Sequence, residues 1–331
     1  VRLLKNDVEI GVSILSDIIQ NSVFDPIELS REKNVILQEL ASTIDSPDDM
    51  VFENFQSAAY QNQAIGRSIL GNKETLMSIK SENIKNYLDD HYHAENLTIV
   101  ATGAIKHDEL VDLCNKYFNS IPKGKTPPSK DAEYSPSEIR EERNIEQAHI
   151  IYAFEGCSYF ADDLYVSHIF SNILGGGMSS RLFQNIREKL GLAYSVFSFS
   201  SSYRDTGVFG IYSATSPDKV NEYSEAVANE ILSSKLDISE QEINKAKKQI
   251  RAGLLMSSEN PMARMNQIAR QVSIYGRVID INETLNKIES INLNHIKEFI
   301  EKTFVPEKMT ISALGAIKTL RAKEDILSFY K

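Results

Sequence analysis

Two pairs of residues in this chain have types and spacing suited to chemistry. Glu32 and Glu39 stand seven apart in LSREKNVILQEL. On a helix, seven residues bring two side chains to within about 20° of each other. Both glutamates fall between Val35 and the cluster Leu29, Ile36 and Leu40, inside the apolar arc of that helix. A carboxylate buried in such an arc is costly unless it is paired or bound to a metal. On spacing alone, a wide polar flank with two solvated glutamates is the simpler reading. Arg187 and Tyr194 are the second pair, also seven apart. A guanidinium and a phenol can both donate to a carbonyl oxygen that gains charge during nucleophilic attack. On spacing alone they read as a surface helix charge and a half-buried strand aromatic. The run Gly175, Gly176, Gly177 just upstream could cradle a phosphate, but G-x-x-x-x-G-K-[ST] is absent and no G-x-G-x-x-G follows a strand. A turn before a helix accounts for it.

The elements that must position these residues repeat. SIKSENIKNYLDDHYHAENLTIVATGAI (Ser78–Ile105) aligns without a gap on SINLNHIKEFIEKTFVPEKMTISALGAI (Ser290–Ile317), an offset of 212 residues. A looser match at offset 214 pairs Leu29, Ile36, Leu40 and Pro47 with Ile243, Ile250, Leu254 and Pro261. In this register Glu39 faces Gly253 and Glu32 faces Ala246, so the copies share a scaffold but not the carboxylates. The second copy has sequence from Glu142 onward, and 142 minus 212 is −70, so the first copy is expected to be incomplete at its N-terminal side. Periodicity and capping signals predict helices over 7–21, from Asp25-Pro26 to about Thr43, after Ser46-Pro47, and over 81–91, 106–118, 162–173, 218–233, 239–257 and 261–275. Strands are predicted over 96–103, 148–154, 192–201 and 206–214, with a closing helix–strand pair at 292–315 that mirrors 80–103. The predicted class is α+β: two homologous domains, each a mostly antiparallel sheet packed with helices. The expected division is 1–125 for the first domain, 126–143 for a linker rich in Pro, Lys, Ser and Glu, and 144–331 for the second domain.

The chain has 331 residues, 42% of them hydrophobic and 25% charged, with a net charge of −10. That charge argues against nucleic acid, whose phosphates need a basic surface. No apolar run has the length of a membrane span. Cys114 and Cys157 lie in different copies without metal-like spacing and read as reduced or indifferent thiols. His91 and His93 sit two apart beside a predicted strand, but their repeat partners are Thr303 and Val305, so they read as structural. His149 reads as structural or cavity-lining; His107 and His168 look helical with no paired ligand. GRSILG (Gly66–Gly71) is assigned no chemistry, and no local motif supports a Ser/His/Asp or Cys/His nucleophile.

SREKNVILQEL and ILGGGMSSRLFQNIREKLGLAYSV resemble segments of the insulinase/pitrilysin family of zinc metallopeptidases, in the branch of mitochondrial processing peptidase and its bacterial relatives. The resemblance spans essentially the whole chain. It implies that Glu39 matches the carboxylate ligand of zinc and Glu32 the glutamate that supports the site. It implies that Arg187 and Tyr194 match a pair that binds the substrate backbone, with Gly175, Gly176 and Gly177 lining the same substrate side. The family's H-x-x-E-H motif, which supplies two His ligands and the general base, occurs nowhere in the chain. The implied function is a zinc-dependent metalloendopeptidase that cleaves short or unfolded peptides in a closed chamber. The implied partners are peptides and a second copy or a homologous subunit, in a bacterial cytoplasm, with mitochondrial matrix and periplasm as alternatives. The chain as given, lacking two ligands and the base, is expected to be inactive and to hold no zinc. A non-catalytic peptide-binding or structural subunit of the same family is the alternative.

Overall fold

A computed structural model describes residues 1–125 and 127–330. Thr126, the first residue of the expected linker, and Lys331, the last of the expected second domain, lie outside the described residues. The described residues cluster into two compact units, each assembled from separate stretches of chain. The first comprises Val1–Gln38, Asn72–Lys130 and Ala252–Asp280; the second comprises Glu39–Gly71, Asp131–Arg251 and Ile281–Lys331.

The second unit contains a five-stranded sheet built from β1 (Glu138–Glu142), β2 (Ala148–Glu155), β3 (Ala193–Ser202), β4 (Gly207–Thr215) and β5 (Thr310–Gly315), in the order β1-β5-β2-β4-β3. β1 runs parallel to β5 and every other neighbour is antiparallel. β4 and β5 are buried throughout, and β2 in all but its last residue. Helices cover both faces, which is why AHIIYAF reads as a continuous apolar run and not as an alternation. Ile151, Ala153, Val208, Tyr212 and Leu314 project onto α3 (Pro47–Ala59), where they meet Val51, Phe55, Ala59 and Tyr60. The opposite face carries the aromatic cluster Phe154, Phe170, Phe209, Phe299 and Phe304, with ring centroids 4.9–6.0 Å apart. Those rings come from the sheet, from α7 (Leu164–Gly175) and from the end of α12 (Leu293–Thr303). Residues 138–142, which composition places in a linker, form the edge strand; Tyr134 just before them donates to Thr310 Oγ1 at 2.7 Å.

The first unit holds α1 (Val8–Asn21), the first part of α2 (Pro26–Asp45), α4 (Lys73–Ser78), α5 (Ser81–His91) and α6 (His107–Tyr117). It also takes the end of α9 (Glu240–Ser258) and α10 (Pro261–Tyr275). Gln20 ties α1 to the Tyr117 carbonyl at 2.8 Å, and Thr102 donates to the Pro261 carbonyl at 2.7 Å. Residues 97–102 form no ladder, contrary to the predicted strand over 96–103, because no strand among the described residues lies beside them to pair with.

The duplication is legible bond by bond. α5 plus 212 gives α12 at both ends, and the short 3₁₀ turn Ala94–Asn96 becomes Pro306–Lys308. Gly103 and Gly315 both hold positive φ (113° and 105°), and each accepts from the amide two residues on at 2.9 Å. Only glycine adopts that backbone without strain. At offset 214, α2 and α3 become α9 and α10, with Asp25 and Ser239 capping the first pair and Asn260 capping α10. Lys33 donates to the carbonyls of Met77 and Ile79, and Lys247 donates to Glu289 at 2.8 Å. Lys247 is Lys33 plus 214 and Glu289 is Met77 plus 212, so each copy uses one lysine to satisfy the open carbonyls at a helix C-terminus. In the second copy that helix is α11 (Ile281–Ser290). The copies differ in burial: Tyr87 is 58% exposed where Phe299 is 2%, and Ile99 is 39% exposed where Ile311 is fully buried.

Candidate functional site

The chain between α7 and β3 is set up by a close approach. A Cβ on Gly175 would lie 2.1 Å from the Ser198 backbone nitrogen, so only glycine lets the end of α7 rest on β3. Ser171 and Ser198 seal the contact, with Ser198 Oγ donating to the Ser171 carbonyl at 2.7 Å. Gly175 is buried against β3, whereas Gly176 and Gly177 are exposed.

After the turn, residues Phe183–Lys189 wind as a π-helix, with the Leu190 amide donating to Asn185 O at 3.0 Å. This winding is rare, occurs mostly as single-turn insertions within α-helices, and is frequent at functional sites. It places the Arg187 guanidinium 4.6 Å from the centre of the Phe183 ring and 5.3 Å from that of Tyr194. The structure thus brings together the two residues singled out by spacing, the guanidinium lying over the ring face where the quadrupole attracts it. Tyr194 is 75% exposed at the start of β3, so its hydroxyl is free to meet a ligand. Arg187 and Tyr194 line an open cavity of about 320 Å³ with Gln147, Leu192, Thr215 and Ser216. The loop beneath is braced by Thr215 Oγ1 donating to Leu192 O at 2.5 Å and Lys219 Nζ to Gly191 O at 2.9 Å.

A feature not visible from spacing lies behind this segment. Arg181 is nearly buried and donates to both carboxylate oxygens of Glu242 (2.6 and 2.9 Å) and to Asp237 (2.5 Å). Asn185 donates to Glu230 at 2.6 Å from within the π turn. Burial pushes the Glu242 carboxyl up, but the hydrogen bonds from Arg181 and Ser239 outweigh it and hold the group below the usual carboxylate range. The only signal in the sequence was an arginine beside the glycine run and acidic residues at a distant helix junction.

Glu32 and Glu39 are both exposed on α2, and neither has a hydrogen-bond or ion-pair partner among the described residues. The helix buries no residue, so the apolar arc that seemed to enclose them is only half covered. No group of three His, Cys, Asp or Glu side chains that could hold a metal exists among the described residues. Zinc sites need three or four such ligands, so the residues present do not fit a complete zinc site. His91 is a helix-end residue against Tyr87, and His93 is buried with Nε2 at the Asp90 carbonyl. Cys157 is buried against Asp163 (3.0 Å), and burial followed by that carboxylate pushes its thiol up to about 12, which makes it unreactive.

His149 lies on β2, buried, with Nδ1 3.0 Å from the Tyr212 hydroxyl. Burial lowers its pKa from the ordinary 6.5, with Asp48 opposing. The unfolded chain then takes up a proton at His149 before the folded one does. Its contribution is intact above about pH 6.5 and is lost as pH falls through that value toward the lower folded pKa. His149→Gln is expected to shrink the fall in Tm between about pH 7.5 and about pH 5.5 relative to wild type, measured by calorimetry; an unchanged fall would assign it to other groups.

Two family models match the sequence of this fold. Residues 78–250 match the domain described as Peptidase M16 inactive domain, and residues 1–73 match Insulinase (Peptidase family M16). The chain belongs to the insulinase (M16) peptidase family. It is 37% identical over 321 residues to an uncharacterised zinc protease of Rickettsia felis, covering 97% of this chain and 77% of that protein. It is 31% identical to the mitochondrial-processing peptidase subunit beta of Neurospora crassa, covering 96% and 70%. A chain of Complex III2 from Candida albicans, solved with Inz-5 bound, has the same fold: TM-score 0.87, 24% identity, covering 97% of this chain and 79% of that one.

Proposed function

We propose that this chain provides the peptide-binding machinery of a zinc-dependent metalloendopeptidase of the processing-peptidase type. The observation that carries the reading is the Arg187 guanidinium stacked on the exposed Tyr194 ring at the rim of an open cavity. Both groups donate only when protonated, and both are well suited to a backbone carbonyl oxygen, neutral in a bound peptide and charged during attack. The exposed Gly176 and Gly177, with Gly175 before them, belong to the same substrate side in this reading. In this reading Glu39 offers one carboxylate to zinc, with Glu32 in support, and the 1–125 and 144–331 parts are the metal-side and substrate-side halves of a duplication. Short or unfolded peptides are the substrates, in a chamber closed by a second copy or a homologous subunit, and the bacterial cytoplasm is the compartment.

The polypeptide 1–331 itself supplies one zinc ligand and no H-x-x-E-H base. It is expected to bind no stoichiometric zinc by elemental analysis and to turn over no peptide. It is expected to bind unstructured peptides, with affinity reduced about tenfold or more by Arg187→Ala and by Tyr194→Ala, a loss of roughly 1.4 kcal/mol or more. Zinc at one per chain with turnover would refute the first part; equal peptide affinity in wild type and both variants would refute the second. The alternative is a non-catalytic peptide-binding or structural subunit of the same family.

A further inference from the structure

Arg181 precedes Arg187 by six residues and is not among the residues that line the cavity. Its side chain is 12% exposed and enclosed by three carboxylates. Glu242 takes a two-pronged contact (2.6 and 2.9 Å), Asp237 a single one (2.5 Å), and Glu230 Oε1 stands 3.6 Å from Nη1. Glu230 has a second engagement: its other oxygen accepts from Asn185 Nδ2 at 2.6 Å. One buried carboxylate on α8 (Val220–Asp237) therefore joins the residue that opens the segment to the middle of the π turn.

The winding matters because of what it aims. A π turn holds one more residue than an α turn, and each residue of an α-helix advances about 100°. If the segment relaxed by that one residue, Arg187 would swing by roughly that angle relative to β3 and leave Tyr194, while Phe183, four residues before it, would stay on the same helix face. π turns are seldom stable unaided. Here the chain is gripped just before the segment by the Arg181 fork on Glu242 and at the middle of the turn by Asn185, and Glu230 spans the two, accepting from Asn185 and standing 3.6 Å from Arg181.

We infer that Arg181 is a positioning residue which, through Glu230 and Asn185, holds the Phe183–Lys189 segment in the π winding that directs Arg187 onto Tyr194. Its consequence for ligand binding rests on the peptide-binding reading above; its geometry does not.

The test is NMR of the ¹⁵N-arginine-labelled chain with a parallel peptide titration. The Arg187 Nε–H resonance, identified by its loss in Arg187→Lys, is expected to be displaced by the ring currents of Phe183 and Tyr194. Arg181→Lys keeps the charge and loses the fork; Asn185→Ala leaves Arg181 in place and releases the middle of the turn. Both are expected to move the Arg187 resonance by the loss of the Tyr194 contribution, to the position it takes in Tyr194→Ala, and to weaken binding of a short unstructured peptide about tenfold. Val227→Ala, in the buried face of the same α8, is expected to lower Tm but leave the resonance where it is. An unmoved resonance in both segment variants, or an equal movement in Val227→Ala, overturns the inference. If Arg181→Lys does not fold, Asn185→Ala decides alone. A wild type that binds no peptide while the resonance moves as stated refutes the peptide reading and leaves the positioning role standing.

Discussion

Phe55→Ala is expected to cost about 3–5 kcal/mol of stability, the range for deleting a buried aromatic ring. Phe55 belongs to α3, close in sequence to Glu39, yet its neighbours are the sheet of the second copy. Its ring meets Phe199 edge-on at 6.0 Å, and it packs with Val51, Ala59 and Tyr60 against Ile151, Val208 and Leu314. Polar ties fix the same helix: Ser312 Oγ donates to the Val51 carbonyl at 2.8 Å, and Ser135 and Ser137 donate to Ala59 and Ala58 at 2.8 Å. α3 therefore covers one face of the sheet over β5, β2 and β1. Urea denaturation followed by far-UV circular dichroism reads the loss. Residues 144–331 produced alone are expected to show no cooperative transition, and adding residues 39–71 in the same chain is expected to restore one. A fully cooperative fragment 144–331 would show that α3 is dispensable.

Arg181→Met is expected to cost about 3–5 kcal/mol, because it leaves Glu230, Glu242 and Asp237 without their shared cation. Burial of Arg181 works against its charge, but the hydrogen bonds to Glu242 and Asp237 outweigh this and hold it protonated well above its ordinary range. Glu230 suffers most, since it is itself buried and its carboxylate retains only Asn185 as a donor among the described residues. Arg187→Ala makes the contrast. Arg187 is partly exposed and its ring contacts are of the kind that contribute about 1 kcal/mol or less at a surface. Equilibrium denaturation of the two variants is expected to separate them by at least about 2 kcal/mol; equal losses would mean that the Arg181 cluster is no more than a surface network.

The duplication, the capped helices and the sequence neighbourhood of Arg187 and Tyr194 were legible because each rests on local order: fixed offsets, Asx and Pro signals, and heptad-like spacing. The 3.6-residue period correctly separated α1, α2, α5 and α12, and the apolar run AHIIYAF correctly announced a buried strand. What local order does not encode is partnership. NLTIVAT has the composition of a strand, but a strand exists only beside another, and residues 97–102 have none among the described residues. EIREE looks like linker composition, yet it pairs with β5 because position along the chain, not hydrophobicity, brings it to the sheet edge. The Glu32–Glu39 helix has the right phase, but phase cannot say how deeply a face is buried. The Arg181 cluster is not legible for a related reason: its three carboxylates lie 49 to 61 residues away, beyond any spacing motif.

The placement of α3 has a consequence for how the protein is made. The Ser312–Val51 bond joins residues 261 positions apart. A ribosome adding about 5–20 residues per second completes α3 roughly 13–50 s before it completes β5, the strand on which α3 rests. Until β2 to β4 emerge Val51, Phe55 and Tyr60 have no native surface to cover them, and until β5 follows that surface lacks Leu314 and the Ser312 bond. Such a long-range closure also slows folding after release, since distant contacts must form before they reward the ordering of the chain between them. The nascent chain is thus a natural client for a holding chaperone, whose engagement is expected to begin soon after α3 leaves the exit tunnel and to end only after β5 has followed.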